Sequence, residues 1–154
     1  SGPSLWASID VADLGLLGER SWWPHFSFGT VYARTEIRSG GRRTAPYMHV
    51  LIMGRPGVDH INGNGLDNRR ANLRFATKLE NSWNTRSRGG TSAYKGVCWV
   101  EKKRAWKAQI KVRGRRVALG YFSTEIEAAH AYDVAAIDAF GDFARGNFVT
   151  GLSA

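Results

Sequence analysis

Cysteine, methionine and proline are scarce in this chain: one, two and four of them in 154 residues. The single thiol, Cys98, excludes an internal disulfide and a cysteine-rich zinc site. Such usage fits a reducing, cytoplasmic setting. No apolar run approaches the roughly 18 residues of a membrane span, so no membrane partner is expected. No segment joins a charged start to an apolar run and a small-residue cleavage site, so no signal-peptide pattern is read in these residues. Residues 1–4 (SGPS) lack a Met and read as a cloning remnant, outside the fold reasoning. No internal repeat is found. Acids are also few, with 13 Asp and Glu against 22 Lys and Arg, for a net charge of +9 and a pI near 10.2. A balance of that kind favours polyanions, nucleic acid ahead of an anionic membrane. Apolar side chains are plentiful at 43%, enough to give a core to one ordinary domain or two small ones.

Pattern along the chain predicts an α+β fold in two modules. Residues 30–35 (TVYART) alternate like a strand, and SGGRR after them is a turn signal. PYMHVLIMG is a short apolar segment whose Gly54 can cap a helix. VDHI would end a strand, NLRFAT begin the next, and KLENSWNTR form a helix. A Gly/Ser/Arg-rich stretch at 87–93 reads as a linker. Past it, GVCWV, AWKAQIKV and RRVALGYF are three strand-like runs separated by turns. A helix follows from residue 124, opened by a Thr124–Glu127 capping box and stopped by Gly141. The expected organisation is thus a first module at 5–86 with its core at 47–86, the linker, and a second module at 94–148.

Charge is unevenly placed in the second module. Residues 95–116 hold nine Lys or Arg and one acid, while residues 124–140 hold four acids and no Lys or Arg. In the middle strand Trp106, Ala108, Ile110 and Val112 alternate with Lys107, Gln109, Lys111 and Arg113. With period two, the apolar set can pack on the helix and leave the polar set as an outward row. Arg115 and Arg116 lie beside it. The row can be a solvated face, but its density points to phosphate contact, and a ribbon of strands can enter a major groove.

Residues 94–148 resemble the plant ethylene-response-factor type of DNA-binding domain. The likeness rests on YKGVCW, WKAQIKV, RRVALGYF, EAAHAYDVAA and FARGNF. It implies a three-stranded antiparallel sheet packed on one helix, the sheet lying on double-stranded DNA. By position it makes Lys95, Gln109, Lys111 and Arg116 DNA-binding residues, with Arg113 beside them. Cys98, Val100 and Ala118 stand where the plant proteins have Arg or Trp, so the plant target sequence does not carry over. Trp99 and Lys103 are local substitutes.

The stretch VDHINGNGLDNRRANLRFATKLENSWN, residues 58–84, carries the candidate chemistry. As a calcium loop it fails, because counting from His60 puts Ala71 at the twelfth position, where Glu is needed. As a hairpin followed by a helix, it would bring a helical Asn back toward Asp59 and His60. Asn81 and Asn84 share one helix face. Asp59 and Asn81 offer oxygen ligands suited to a hard ion such as Mg2+, and neutral His60 can take a proton from water. Arg69, Arg70 and Arg74 would hold a phosphate backbone.

The same residues, with YMHVLIMG before them and ENSWN after, resemble the HNH or ββα-metal endonucleases of homing type. The likeness implies a site-specific DNA endonuclease with His60 as general base, Asn72 bracing the loop, and Asp59 and Asn81 as metal ligands. Asn84 is the runner-up ligand. Asn at the third motif position points to Mg2+ or Mn2+. His49 divides between a structural hydrogen bond and a DNA contact, and His25 and His130 read as structural. A single such site nicks one strand per visit, and a monomer is favoured. The alternative is a catalytically silent DNA-binding or regulatory protein.

Overall fold

Turn chemistry sets most of the first half of the chain. The structure, a computed structural model, describes residues 4–27, 29–85 and 89–148. Its contacts divide into two compact units between Lys78 and Leu79. The first unit opens with the short helix α1 (Leu14–Leu17). Two hairpins follow, β1 (Trp23–Ser27) with β2 (Thr30–Arg34) and β3 (Ile37–Ser39) with β4 (Arg42–Thr44). The second hairpin turns at Gly40 and Gly41, both at positive φ, as the SGGRR signal requires. Helix α2 (Met48–Met53) stops at Gly54, whose φ of 73° lets its N–H close on the Leu51 carbonyl. β5 (Val58–His60) and β6 (Leu73–Phe75) then pair antiparallel around the asparagine-rich loop. Leu17, Ala33, Met48, Ile52 and Leu73 are buried together, so the inner face of α2 supplies much of this core. That packing positions the site, since α2 meets both β2 and β5.

Helix α3 (Lys78–Trp83) begins at the division. Sequence pattern puts the join at 87–93. The contacts divide earlier because Trp83 stacks on Phe140 at 4.5 Å and joins the second core. Its carbonyl also accepts from Lys95 Nζ at 2.6 Å. Of the expected linker, residues 87 and 88 lie outside the described residues, and Gly89 and Gly90 both have positive φ.

The second unit is a meander of β7 (Val97–Val100), β8 (Ala105–Val112) and β9 (Arg115–Phe122), backed by α4 (Glu125–Phe140). The Thr124–Glu127 capping box forms as the sequence predicts. Ala128, Ala129 and Ala136 are fully buried, so small side chains let α4 lie close to the sheet against Ala108 and Ile110. Buried Asp133 on α4 accepts from the Asn147 backbone and side-chain N–H groups at 2.6 and 3.1 Å and from the Phe148 N–H at 2.8 Å. Asn147 Oδ1 in turn accepts from the Lys95 N–H at 2.6 Å, tying the segment after the helix to the start of β7. The YDVAA and GNF motifs are therefore two halves of one buried polar clasp. The α+β class and the three-stranded antiparallel sheet packed on one helix agree with the sequence pattern.

Candidate active site and nucleic-acid face

Asparagine amides organise the loop between β5 and β6. Asn62 and Asn64 each accept from a backbone N–H two residues on, at 2.8 and 3.1 Å, the local bonding these side chains favour in turns. Asn72 closes the loop: its oxygen accepts from the Asn62 N–H at 3.0 Å and its Nδ2 donates to the Asp67 carbonyl at 2.7 Å. Gly65 has no room for a side chain, as an added Cβ would stand 2.5 Å from Tyr32 and from the Val31 carbonyl. The loop thus sits directly on β2.

At the end of β5, Asp59 and His60 are both buried, each 5% exposed. His60 Nε2 lies 3.2 Å from Asn68 Oδ1. Asn68 is fully buried, and its Nδ2 has no partner among the described residues. Sequence reasoning missed Asn68, because no periodicity marks a loop residue as inward-facing. His49 from α2 meets His60 edge to face at 4.8 Å and stacks on Tyr47 at 5.3 Å. Tyr32 touches the same cluster, 5.8 Å from each histidine. Burial holds the His60 imidazole below its ordinary value, against the opposing pull of Asn68, Asp59 and Asp67. It is therefore neutral at cellular pH, the form that can accept a proton.

His49 is buried more consequentially. Desolvation first, and the neighbouring His60 second, lower it to about 3. Its Nδ1 has no partner among the described residues. The unfolded chain binds a proton below about pH 6.5, while the folded chain resists until about pH 3. Stability from His49 is complete above the unfolded value and is lost as pH falls through that window. Denaturant titrations at pH 7 and pH 4 should differ by on the order of 2–3 kcal/mol for the first unit. His49→Phe keeps the ring stack and cannot titrate, so its acid limb should be flatter. Identical limbs in parent and variant would refute a neutral buried His49.

The three arginines expected on phosphate all face carboxylates. Arg74 contacts Asp59 Oδ2 through Nε and Nη2 at 3.0 and 2.8 Å, with both partners largely buried. Arg69 pairs with Asp67, whose carboxyl it holds below the usual range. Arg70 pairs with buried Asp13 and donates to the Ile52 carbonyl, while its own N–H is taken by Asp10. These arginines lace loop, strand and N-terminal segment together. Their side-chain partners lie up to 57 residues away, out of reach of a local reading.

On the second unit the outward row of β8 is Lys107, Gln109 and Lys111. Arg113, expected to continue it, stands at φ 48° in the turn with Gly114. The strand ends at Val112, so the alternation ends with it. Arg116 faces outward opposite Lys111. Lys95 is drawn inward: its ammonium donates to Trp83 and Arg145 carbonyls beside the Tyr132 ring, and burial lowers it to about 8. Trp99 pairs with Trp106 on the helix-facing side, and its indole N–H donates to Glu101. Lys103 lies over the Tyr121 ring at 3.9 Å.

Residues 56–83 match the family model described as HNH endonuclease. That segment is similar to HNH endonucleases. Over 60 residues it is 37% identical to Protein 3.8 of Escherichia phage T7, covering 38% of this chain and 50% of that protein. Over 90 residues it is 37% identical to an uncharacterized HNH endonuclease of Acanthamoeba polyphaga mimivirus, covering 58% and 46%. It is also 49% identical over 61 residues to the dehydration-responsive element-binding protein 2A of Oryza sativa, covering 36% of this chain and 21% of that one. The chain therefore spans about half the length of the two viral relatives and a fifth of the plant one.

Asp59 and His60 lie in the first unit, and Asn81, exposed, and Asn84, buried, in the second. Among the described residues no three His, Cys, Asp or Glu side chains cluster to hold an ion. The donors on offer are a carboxylate and side-chain amides, all oxygen and no thiolate, which fits a hard ion and suits zinc poorly. No helix of the described residues is long and apolar enough to cross a membrane.

Proposed function

We propose that the chain is a metal-dependent DNA endonuclease of homing type that nicks duplex DNA. The observation carrying this reading is the setting of His60: buried, neutral, held between the His49 edge and the Asn68 amide, at the end of β5 beside Asp59. A base so fixed loses little entropy on meeting a water molecule, and its lone pair can take the water's proton as the phosphorus is attacked. Asn72 keeps the loop, and through it His60, from shifting. Asp59 with Asn81, or Asn84 as runner-up, would hold Mg2+ or Mn2+. When bound, that ion supplies charge stabilisation on the phosphate and the departing 3′-oxygen. The outward face of the second unit would grip the duplex, monomer by monomer, in the cytoplasm of a bacterial or phage-infected cell. The test is conversion of supercoiled plasmid to open circles with Mg2+ and none with EDTA. Linear product without open circles would mean paired sites.

A second reading is favoured by one observation, the Arg74–Asp59 ion pair. If that pair persists on DNA, the proposed metal carboxylate stays occupied and the chain is a silent DNA-binding or regulatory protein. Arg74→Ala separates the two, since taking the guanidinium away from Asp59 should raise cleavage only if the pair is inhibitory.

A further inference from the structure

The inference rests on the reading that the outward sheet face meets duplex DNA. We propose that Gln109 and Ala118 on that face together read an A·T base pair, with Lys111 and Arg116 anchoring the flanking phosphates.

Four features place this pair. Gln109 and Ala118 stand directly opposite each other on β8 and β9, and Lys111 and Arg116 form the outward pair two residues along. Between Ala108 and Gln109 the register shifts, because β9 carries Leu119 as an extra residue. A bulge re-aims the side chains around it. Here it lets Leu119 turn to the core while Ala118 stays outward beside Gln109. The Gln109 backbone is fixed by its N–H on the Gly96 carbonyl at 2.8 Å, so its Cβ direction is set before DNA arrives. Its amide has no hydrogen bond among the described residues.

The chemistry then selects the base. In the major groove adenine presents an acceptor at N7 and a donor at N6, which one amide meets with its N–H and its oxygen. Guanine presents two acceptors there, so the amide oxygen would face lone pairs. Thymine adds a methyl group, and Ala118, about 5 Å from Gln109 across the strands, offers an apolar contact for it. A long side chain at residue 118 would occupy that space. Lys111 and Arg116 are exposed like charges directly opposite each other, an arrangement that weakens a sheet by itself. Neither has a carboxylate partner among the described residues. Phosphate oxygens relieve that repulsion, and so these cations fit the backbone flanking the pair.

The experiment is selection of random-sequence duplexes by the full chain in EDTA, so that nothing is cut, followed by sequencing of the retained pool. One position should be enriched for A·T by roughly tenfold or more. Gln109→Ala should abolish that preference and keep the salt slope, and Gln109→Arg should move the preference to guanine. Lys111→Ala with Arg116→Ala should lower the log-log salt slope by about one unit for each phosphate no longer neutralised. No base preference in the parent, or an A·T preference surviving in both Gln109 variants, overturns the inference and leaves the DNA-gripping face standing. No retention of duplex at all, or a salt slope unmoved by the double variant, overturns the face and the inference together.

Discussion

His60→Ala should leave supercoiled plasmid uncut in Mg2+ while duplex retention stays at the parental level. The expected loss is about two to four orders of magnitude in nicking rate, the usual contribution of a positioned general base. Alanine removes the imidazole that Asn68 and His49 jointly hold at the end of β5. Retention should survive because His60 belongs to the first unit, whereas Lys107, Gln109, Lys111 and Arg116 belong to the second. A His60→Ala protein that nicks as fast as its parent would remove the base from the proposal. An uncut plasmid with the parent as well would leave the DNA-binding alternative.

Gly96→Ala should destabilise the second unit by about 3–5 kcal/mol, enough to unfold it at modest temperature. Two costs add at this residue. Its φ of 77° is unfavourable for any side chain bearing a Cβ. An added Cβ would also stand 2.1 Å from Tyr132 Cδ2 and 2.6 Å from the Gln109 carbonyl oxygen. Neither neighbour can yield cheaply: Tyr132 is 4% exposed, and Gln109 lies in the central strand. Gly40→Ala is the control, since Gly40 has φ 55° and nothing within 4 Å of the added atom. It should cost only about 1 kcal/mol. Equal melting of the two variants would mean that Tyr132 does not pack over the start of β7.

Both expectations depend on features that differ in how visible they are along the chain. The hairpin at Gly40–Gly41, the helix stop at Gly54 and the capping box of α4 all follow from bonds between near neighbours. The same holds for the two faces of β8 as far as Val112. Local chemistry cannot say where an alternation ends, and Arg113 went to the turn because a two-residue connection needs positive φ there. Trp99 is a similar case, since only the pairing of β7 with β8 decides which face it takes.

The sequence by itself determined the order of elements from β5 onward, the α+β class, the basic strand beside an acidic helix, and the HNH-like residue order. These depend on spacing within a few residues. Tertiary structure alone decided the charge partners and the burial: Arg70 on Asp13, Arg74 on Asp59, Lys95 against Tyr132, and Asn68 and His49 closing on His60. A guanidinium reads the same in a string of letters whether it meets a phosphate or a carboxylate. Only folding brings a carboxylate from 57 residues away to within hydrogen-bond reach of that guanidinium.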